Sequence, residues 1–501
     1  MAHSRTSVTP YRVGAWLPSD QAVLENWLTE LLAVVVREPR SLLPVIQNLK
    51  ELIEGDPAIF MYFNLMFTQV PNRPPYNESP TGKPQVTDYK TMLRLMNHVM
   101  TTPPAYNSTG LVGFPINAIL DWSMGTEAGY AAFLDDKVNS ALKDVLNAWG
   151  RFLTSTESLA VLNDDPKTGW LGDAAMIDMV TSLPEYVDST LLVGLPDLLE
   201  AEKARLDYIL ECLGISPAEF NAVVAQVQNG VEAIDGTIAK VIFALYFHCD
   251  PTLPFWGYTC WDDFFTRTFR EGRRPVAGPD DQSVIANACE AAPFAIQRNV
   301  SESDRFWTKG MPYSLRHMLA DDPFADQFIG GTVYQAFLSA TSYHRWNSPV
   351  AGTVIKGYVV DGAYYSEPPA QGFANPGNPA DDPARGGRQP DPSAPNNSQG
   401  YIAEVATRAL IFIKADNPAI DLVCFIGIGM GEVSSCDITV YDGQHVEKGD
   451  QIGTFHFGGS THCLVFRPGV ALDFDLHGQA KPSLNATNIA VRAKIATVTS
   501  G

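Results

Sequence analysis

The chain has 501 residues, 45% of them apolar, enough to bury several cores and to form two or three domains. Its 56 acidic residues against 35 basic ones leave a net charge of −21, which disfavours nucleic acid or an anionic membrane surface as a partner, since both need clustered Lys and Arg. The longest aliphatic run near the start, Leu31–Val36, ends at Arg37, far short of the roughly 20 residues of a spanning helix, so no membrane anchor is expected.

Met1–Thr9 lacks the basic start and apolar stretch of a secretory signal, and the expected location is the cytoplasm. Ser41 is placed to cap a helix whose apolar residues Leu42, Val45, Ile46, Leu49, Leu52 and Ile53 recur every three or four positions, with Gly55 to end it. Pro71–Pro84 and Pro103-Pro104 read as loops. A second helical stripe runs through Leu142, Val145, Leu146, Trp149, Phe152 and Leu153, and a further helix is expected over Pro196–Leu213 with Gly214 as its stop. No catalytic motif occurs before about residue 250, so 1–250 is expected to be a helical accessory domain. After Asp250 the pattern changes to strands, such as Thr353–Ile355, Ala409–Ile413 and Leu422–Ile428 between Gly, Asn and Asp turns, giving an α+β fold with a β-rich domain over 251–501. Glu367–Gly400, dense in Pro, Gly, Asn and Asp, is expected to be a long mobile loop, either a variable insertion or a lid. The seven cysteines form no C-x-x-C element, so neither a zinc site nor a disulfide framework is expected, and they read as buried thiols.

Tyr441–Gly453 reads as two short strands joined by a tight turn, leading into Phe455-His456-Phe457-Gly458-Gly459-Ser460-Thr461. Two glycines before a hydroxyl residue permit backbone geometry that side chains forbid. Alone, such a segment is an ordinary turn. Gly443–Gly453 also resembles the hairpins of barrel-sandwich carrier modules, but the exposed Lys those modules present at a partner apex is not found. The segment is accompanied by Tyr343-His344-Arg345-Trp346-Asn347-Ser348-Pro349-Val350-Ala351-Gly352, by Phe264-Phe265-Thr266-Arg267 and by Gly272-Arg273-Arg274-Pro275. In this order and spacing, the motifs resemble the phosphatidylserine decarboxylase family. The Trp261-Asp262-Asp263-Phe264-Phe265 opening, the Tyr-His-Arg-Trp form of the histidine motif and the His456–Ser460 form of the last motif are most similar to its soluble fungal L-tryptophan decarboxylases. The resemblance covers nearly the whole chain, with an apparent insertion around 182–245.

The resemblance implies a zymogen that cuts itself between Gly459 and Ser460 and converts Ser460 into a pyruvoyl group on a small chain, 460–501, which stays with the large one. Decarboxylation needs an electron sink next to the departing carboxylate, and a ketone joined to an amide provides one by condensing with the substrate amine as a Schiff base. Pyridoxal phosphate is then not needed, and no lysine motif for it is found. The implied substrate is a free aromatic amino acid, tryptophan foremost; phosphatidylserine, the substrate of most of the family, is the alternative, and an uncleaved relative or non-enzymatic binding module a second one.

The resemblance also assigns roles. His344 matches the histidine that handles protons during decarboxylation. The family's second histidine falls at Asn347, which is no proton acceptor near neutral pH. The base that activates Ser460 is therefore either His344 in a double role or His462, which shares a strand face with Ser460 if the segment is extended. Glu290, in Asn287-Ala288-Cys289-Glu290-Ala291, stands where the family has an Asp. His456, between two phenylalanines, reads as a packed strand residue rather than a catalyst, and His445 as a solvated turn residue. Arg267 and Arg274 read as salt-bridged structural residues, with recognition of a substrate carboxylate by their guanidinium forks as the other option.

Overall fold

The three-to-four-residue recurrence of apolar positions in the first half resolves into helices in the computed structural model, which describes residues 21–70, 72, 81–106, 114–187, 202–228, 234–303, 313–338, 341–366, 399–432, 435–458, 460–483 and 486–499. The helix Pro44–Gly55 buries Ile46, Leu49 and Ile53 and ends at its glycine as expected. Its start differs from expectation. Leu43, not Ser41, is the N-cap, because Pro44 presets the first turn and Asn97 serves as the cap from another helix. The Leu43 amide donates to Asn97 Oδ1 at 2.7 Å, and Asn97 Nδ2 donates back to the Ser41 carbonyl. The second stripe forms the helix Asp136–Leu153, capped by Asp135, with Val145, Leu146, Trp149 and Leu153 buried. Lys203–Leu213 is helical and stops at Gly214, whose φ of +66° is the left-handed conformation that ends many helices. Residues 196–201 of that expected helix, and most of Pro71–Pro84, lie outside the described residues.

From residue 284 onward the chain forms thirteen described strands: β1 (Val284–Ala286), β2 (Ala292–Arg298), β3 (Thr332–Leu338), β4 (Arg345–Asn347), β5 (Gly352–Val360), β6 (Arg408–Ala415), β7 (Leu422–Gly429), β8 (Ser435–Ile438), β9 (His445–Val446), β10 (Gln451–His456), β11 (Ser460–Phe466), β12 (Leu472–Phe474) and β13 (Lys494–Val498). Seven of them make an antiparallel sheet in the order β2-β3-β11-β7-β6-β5-β9, flanked by two three-stranded sheets, β4-β10-β8 and β1-β13-β12. The expected Tyr441–Gly453 hairpin is corrected in one respect. Its turn is present, with the Asp450 amide on the Glu447 carbonyl, but β9 and β10 do not pair with each other. β9 joins the large sheet beside β5, whereas β10 crosses to the sheet between β4 and β8.

Residues 367–398 lie outside the described residues, and the last two positions of the expected loop belong instead to a helix, Gln399–Val405, with Gln399 and Gly400 buried. The apolar interior divides into a helical cluster and a sheet cluster that interpenetrate. Trp261, Phe264, Phe265 and Phe457 pack with the helices, and Phe114 packs with the sheets. All seven cysteines are free, four buried and three half-buried. Among the described residues no helix is long and apolar enough to cross a membrane, and no group of His, Cys, Asp and Glu is arranged to hold a metal.

Candidate active site

The Tyr-His-Arg-Trp motif is built around Trp346. Its ring lies against two strand glycines, Gly427 of β7 and Gly453 of β10, where an added Cβ would come within 3.0 and 2.3 Å of it. Phe425 and Phe455 complete the packing, with ring centroids 5.2 and 4.7 Å away. This anchor fixes the residue two positions before it. The His344 carbonyl accepts from the Phe455 amide at 2.9 Å, and its fully buried ring stacks on Phe265 at 4.0 Å. Phe265 in turn touches Phe457, which leads into the Gly458–Ser460 segment.

β11 is an interior strand of the large sheet, buried at every position between β3 and β7, yet it begins with three polar residues, Ser460, Thr461 and His462. Buried polar groups in a central strand call for partners. Thr461 has them: its hydroxyl donates to the Ala336 carbonyl at 2.9 Å and accepts from Gln335. The Ser460 hydroxyl is fully buried with no hydrogen-bond partner among the described residues. Immediately before it the backbone turns through two left-handed residues, Phe457 at φ +33° and Gly458 at φ +122°. The first is strained for a residue with a side chain. Gly459 lies outside the described residues.

Phe457 also forms one wall of a cavity of about 260 Å³. The opposite wall comes from the helix Asp136–Leu153, whose Trp149 meets Phe457 edge-on at 4.6 Å, with Arg151 also lining the space. Besides Arg151, three titratable residues face this cavity: Asp262, His456 and Glu432. His456 Nδ1 is 3.0 Å from both carboxyl oxygens of Asp262, and Nε2 is 3.8 Å from Asp437. Burial works against the imidazolium, but the two carboxylates outweigh it and raise the His456 pKa. Glu432 is desolvated so strongly that its carboxyl is pushed up to about 8, although the amides of Asn117 and Ile116 both donate to it. The helical half thus supplies a wall and two amides to this place.

The other anticipated residues are held elsewhere. Asn347 is buried, and its Nδ2 donates to the Gly449 carbonyl at 2.8 Å, tying β4 to the turn before β10. Glu290 is buried in an ion pair with Arg274, with Nε–Oε2 at 2.8 Å, and also accepts from the Val491 amide. Arg274 reaches Glu185 as well and lies over Phe269, so its forks are occupied. Arg267 is buried against Phe247 and Phe264 and donates to the Thr341 carbonyl. Neither arginine lines the cavity; Arg151 does. His462 follows Ser460 in an extended strand, as anticipated, but it stacks on Phe425 in the fully buried sheet, and burial lowers its pKa to about 3. His445 belongs to β9 and bonds Asp416 at the exposed edge. Sequence reasoning missed the Asp262–His456 pair, Trp149 and Glu432. The one local signal for Glu432 was a lone charge directly after the uniformly apolar run that became β7.

Comparison with known proteins adds the relations. Residues 43–179 match a family model described as phosphatidylserine decarboxylase, and residues 261–489 match a second of the same description. The L-tryptophan decarboxylase of Psilocybe cyanescens is 32% identical over 468 residues, covering 91% of this chain and 89% of that protein. Decarboxylase iboD of Amanita muscaria is 37% identical over 365 residues, covering 72% and 86%. The phosphatidylserine decarboxylase proenzyme of Anoxybacillus flavithermus is 28% identical over 225 residues, covering 45% of this chain and 72% of its own.

Proposed function

Because the chain belongs to the phosphatidylserine decarboxylase family, we propose that it cuts itself between Gly459 and Ser460 and, with the pyruvoyl group so made, decarboxylates a free aromatic L-amino acid, tryptophan foremost. As a member of that family it is a carbon–carbon lyase. The observation that carries the finer reading is the cavity beside Phe457. About 260 Å³ lies below the usual range for drug-sized ligands, which suits one amino acid better than a two-chain lipid, and Trp149 and Phe457 offer aromatic faces. The relative named L-tryptophan decarboxylase supports the same substrate class.

Ser460 fits the role of precursor because its buried hydroxyl has no partner to give up among the described residues and follows the strained Phe457 backbone. In self-cleavage, Ser460 Oγ attacks the Gly459 carbonyl, moving the acyl group from nitrogen to oxygen. Loss of the Ser460 Cα proton then expels the Gly459 carboxylate, and water releases ammonia to leave the ketone. The pyruvoyl group, once made, supplies the electron sink for a departing carboxylate. Between the two candidate bases we assign the work to His344, because a histidine lowered to about 3, as His462 is, holds a proton too weakly to take one from a hydroxyl. Phe265 orients the His344 ring, and the backbone bond from the Phe455 amide holds the His344 main chain in place. Glu290 and Asn347, by their partners, serve the scaffold on which this happens. The fragment 460–501 remains bound because β11 keeps its ladders to β3 and β7 and β13 its ladder to β1.

Mass spectrometry of the purified protein tests the reading. The expected result is a fragment beginning at position 460 with a ketone in place of its amine, and Ser460→Ala should give one uncut, inactive chain. Carbon dioxide released from tryptophan and not from phosphatidylserine vesicles is the expected substrate pattern; the reverse pattern would make the chain a lipid decarboxylase.

A further inference from the structure

Glu432 has one carboxyl oxygen fixed and the other buried without a hydrogen-bond partner among the described residues. Oε1 accepts from the Ile116 and Asn117 amides at the start of the helix Pro115–Met124, which holds the side chain still. Oε2 is buried with no hydrogen-bond partner among the described residues, in a side chain 4% exposed that lines the cavity. The strand register brackets it between two residues paired to the ends of the proposed cut segment. Ser460 pairs with Gly429, three residues before Glu432, and His456 pairs with Ser435, three residues after it. The described strand ends on either side of Glu432, at Gly429 and Ser435, are therefore paired with the strand ends on either side of the proposed cut, at Ser460 and His456. A buried carboxyl with a free oxygen is either a defect or a tool.

We propose that Glu432 is the acid of this cavity, giving the proton on Oε2 to the substrate carbon from which the carboxylate has left. The assignment rests on the decarboxylase reading above. In this step the carbon–carbon bond breaks and its electron pair stays with the carbon; the O–H bond of Glu432 breaks and a C–H bond forms. The carboxylate left on Glu432 regains a proton from water entering the cavity, matching the one proton that decarboxylation of an amino acid consumes. The environment keeps the acid loaded. Among the described residues no cation is close enough to offset the burial of Glu432; only backbone amides stabilise its charged form. Of the charged groups around the cavity, Asp262 and Asp437 are already engaged with His456, and Arg151 is exposed at the opening. A neutral carboxylic acid beside an imidazole whose charged form is favoured by its neighbours is the division of labour by which one site holds a donor at neutral pH.

The test is Glu432→Gln, whose amide oxygen preserves the acceptor for Ile116 and Asn117. It should cut itself as the wild type does, by fragment mass, while kcat falls about 10²–10⁴-fold with little change in KM. Wild-type kcat should fall as pH rises through about 8, and that limb should be missing from the variant's residual rate. A readout independent of turnover is the infrared carbonyl stretch of a protonated carboxyl, taken as the difference between the uncut Ser460→Ala chain and Ser460→Ala/Glu432→Gln so that Asp121, also pushed up to about 7 by burial, cancels; that difference band is expected to vanish as pH rises through about 8. Glu432→Asp, which keeps the acid but withdraws it by one methylene, should keep the infrared band and part of the rate. Should Glu432→Gln fail to accumulate, the Asp variant decides, with an unchanged kcat and pH limb counting against the proposal. A fully active Glu432→Gln would overturn the proposal while leaving the decarboxylase reading intact. Loss of self-cleavage in that variant would also overturn it, assigning the carboxyl to the cutting reaction. A wild type that is uncut and inert sinks the underlying reading instead.

Discussion

Glu290 and Glu432 are both nearly inaccessible to solvent, at 2% and 4% exposure, but the regions around them solve the cost of a buried carboxyl in opposite ways. Around Glu290 every valence is used: Arg274 and the Val491 amide take the carboxylate, and Glu185 takes the remaining reach of Arg274. Burial disfavours the charge on Arg274, but Glu290 and Glu185 overcome it and raise its pKa. Around Glu432 the charge is avoided rather than paired, and one oxygen is buried with no partner among the described residues, in a residue that lines a cavity. A filled network makes a scaffold, whereas an unfilled one beside a cavity makes a site.

Removing the partner is the strongest way to break this comparison. In the uncut Ser460→Ala background, Glu290→Ala leaves the buried Arg274 with only the half-exposed Glu185, and the expected loss is about 3–5 kcal/mol in chemical denaturation. Glu432→Gln in the same background keeps its amide bonds and should cost less than about 1 kcal/mol. Equal costs would erase the distinction between the two regions.

The two histidines nearest Ser460 in sequence sharpen the contrast through pH. His462, lowered to about 3 by burial, is neutral in the folded chain, while an unfolded chain takes up the proton below about 6.5. Stability should therefore be lost as pH falls from about 6.5 towards 3, at up to about 1.4 kcal/mol per unit. His456 is raised by Asp262 and Asp437, so its contribution has the other sign: present at low pH and lost as pH rises through its folded value. Melting curves of Ser460→Ala and Ser460→Ala/His462→Phe over pH 4–7 check this. The phenylalanine variant should show the shallower decline on the acid side; parallel curves would mean that His462 is reached by water.

These contrasts mark the limit of what the chain reveals before folding. The helix Asp136–Leu153, the strands β5, β6 and β7, and the positive φ at Gly458 were legible because each is encoded by a local period or a local glycine. Ser41 misled because the cap it was expected to supply comes from Asn97, and β9 and β10 misled because their true partners are distant in sequence. His456 looked like packing because its neighbours are phenylalanines; only the fold brings Asp262 to it across 194 positions. Glu290 looked reactive for the converse reason, since Arg274 cannot be assigned to it from sequence. A partner's presence or absence decides a polar residue's role, and partners are a tertiary property.

Arg151 offers the finest test of the same idea, at the solvent end of the cavity. It shares the lining with Glu432 and His456, is exposed, and stands on the helix that also carries Trp149. A cation at the rim of a chain with net charge −21 is suited to guide the carboxylate of an entering amino acid and unsuited to hold it tightly, because water screens an exposed pair. Arg151→Gln should raise KM by up to about fivefold, the size of an exposed ion pair, and leave kcat unchanged. The difference from wild type should shrink as salt is added, and Arg151→Lys should restore most of it. A fall in kcat with KM constant would instead bring Arg151 into contact with the reacting carboxylate, and the opening of the cavity would then belong to the chemistry rather than to the approach.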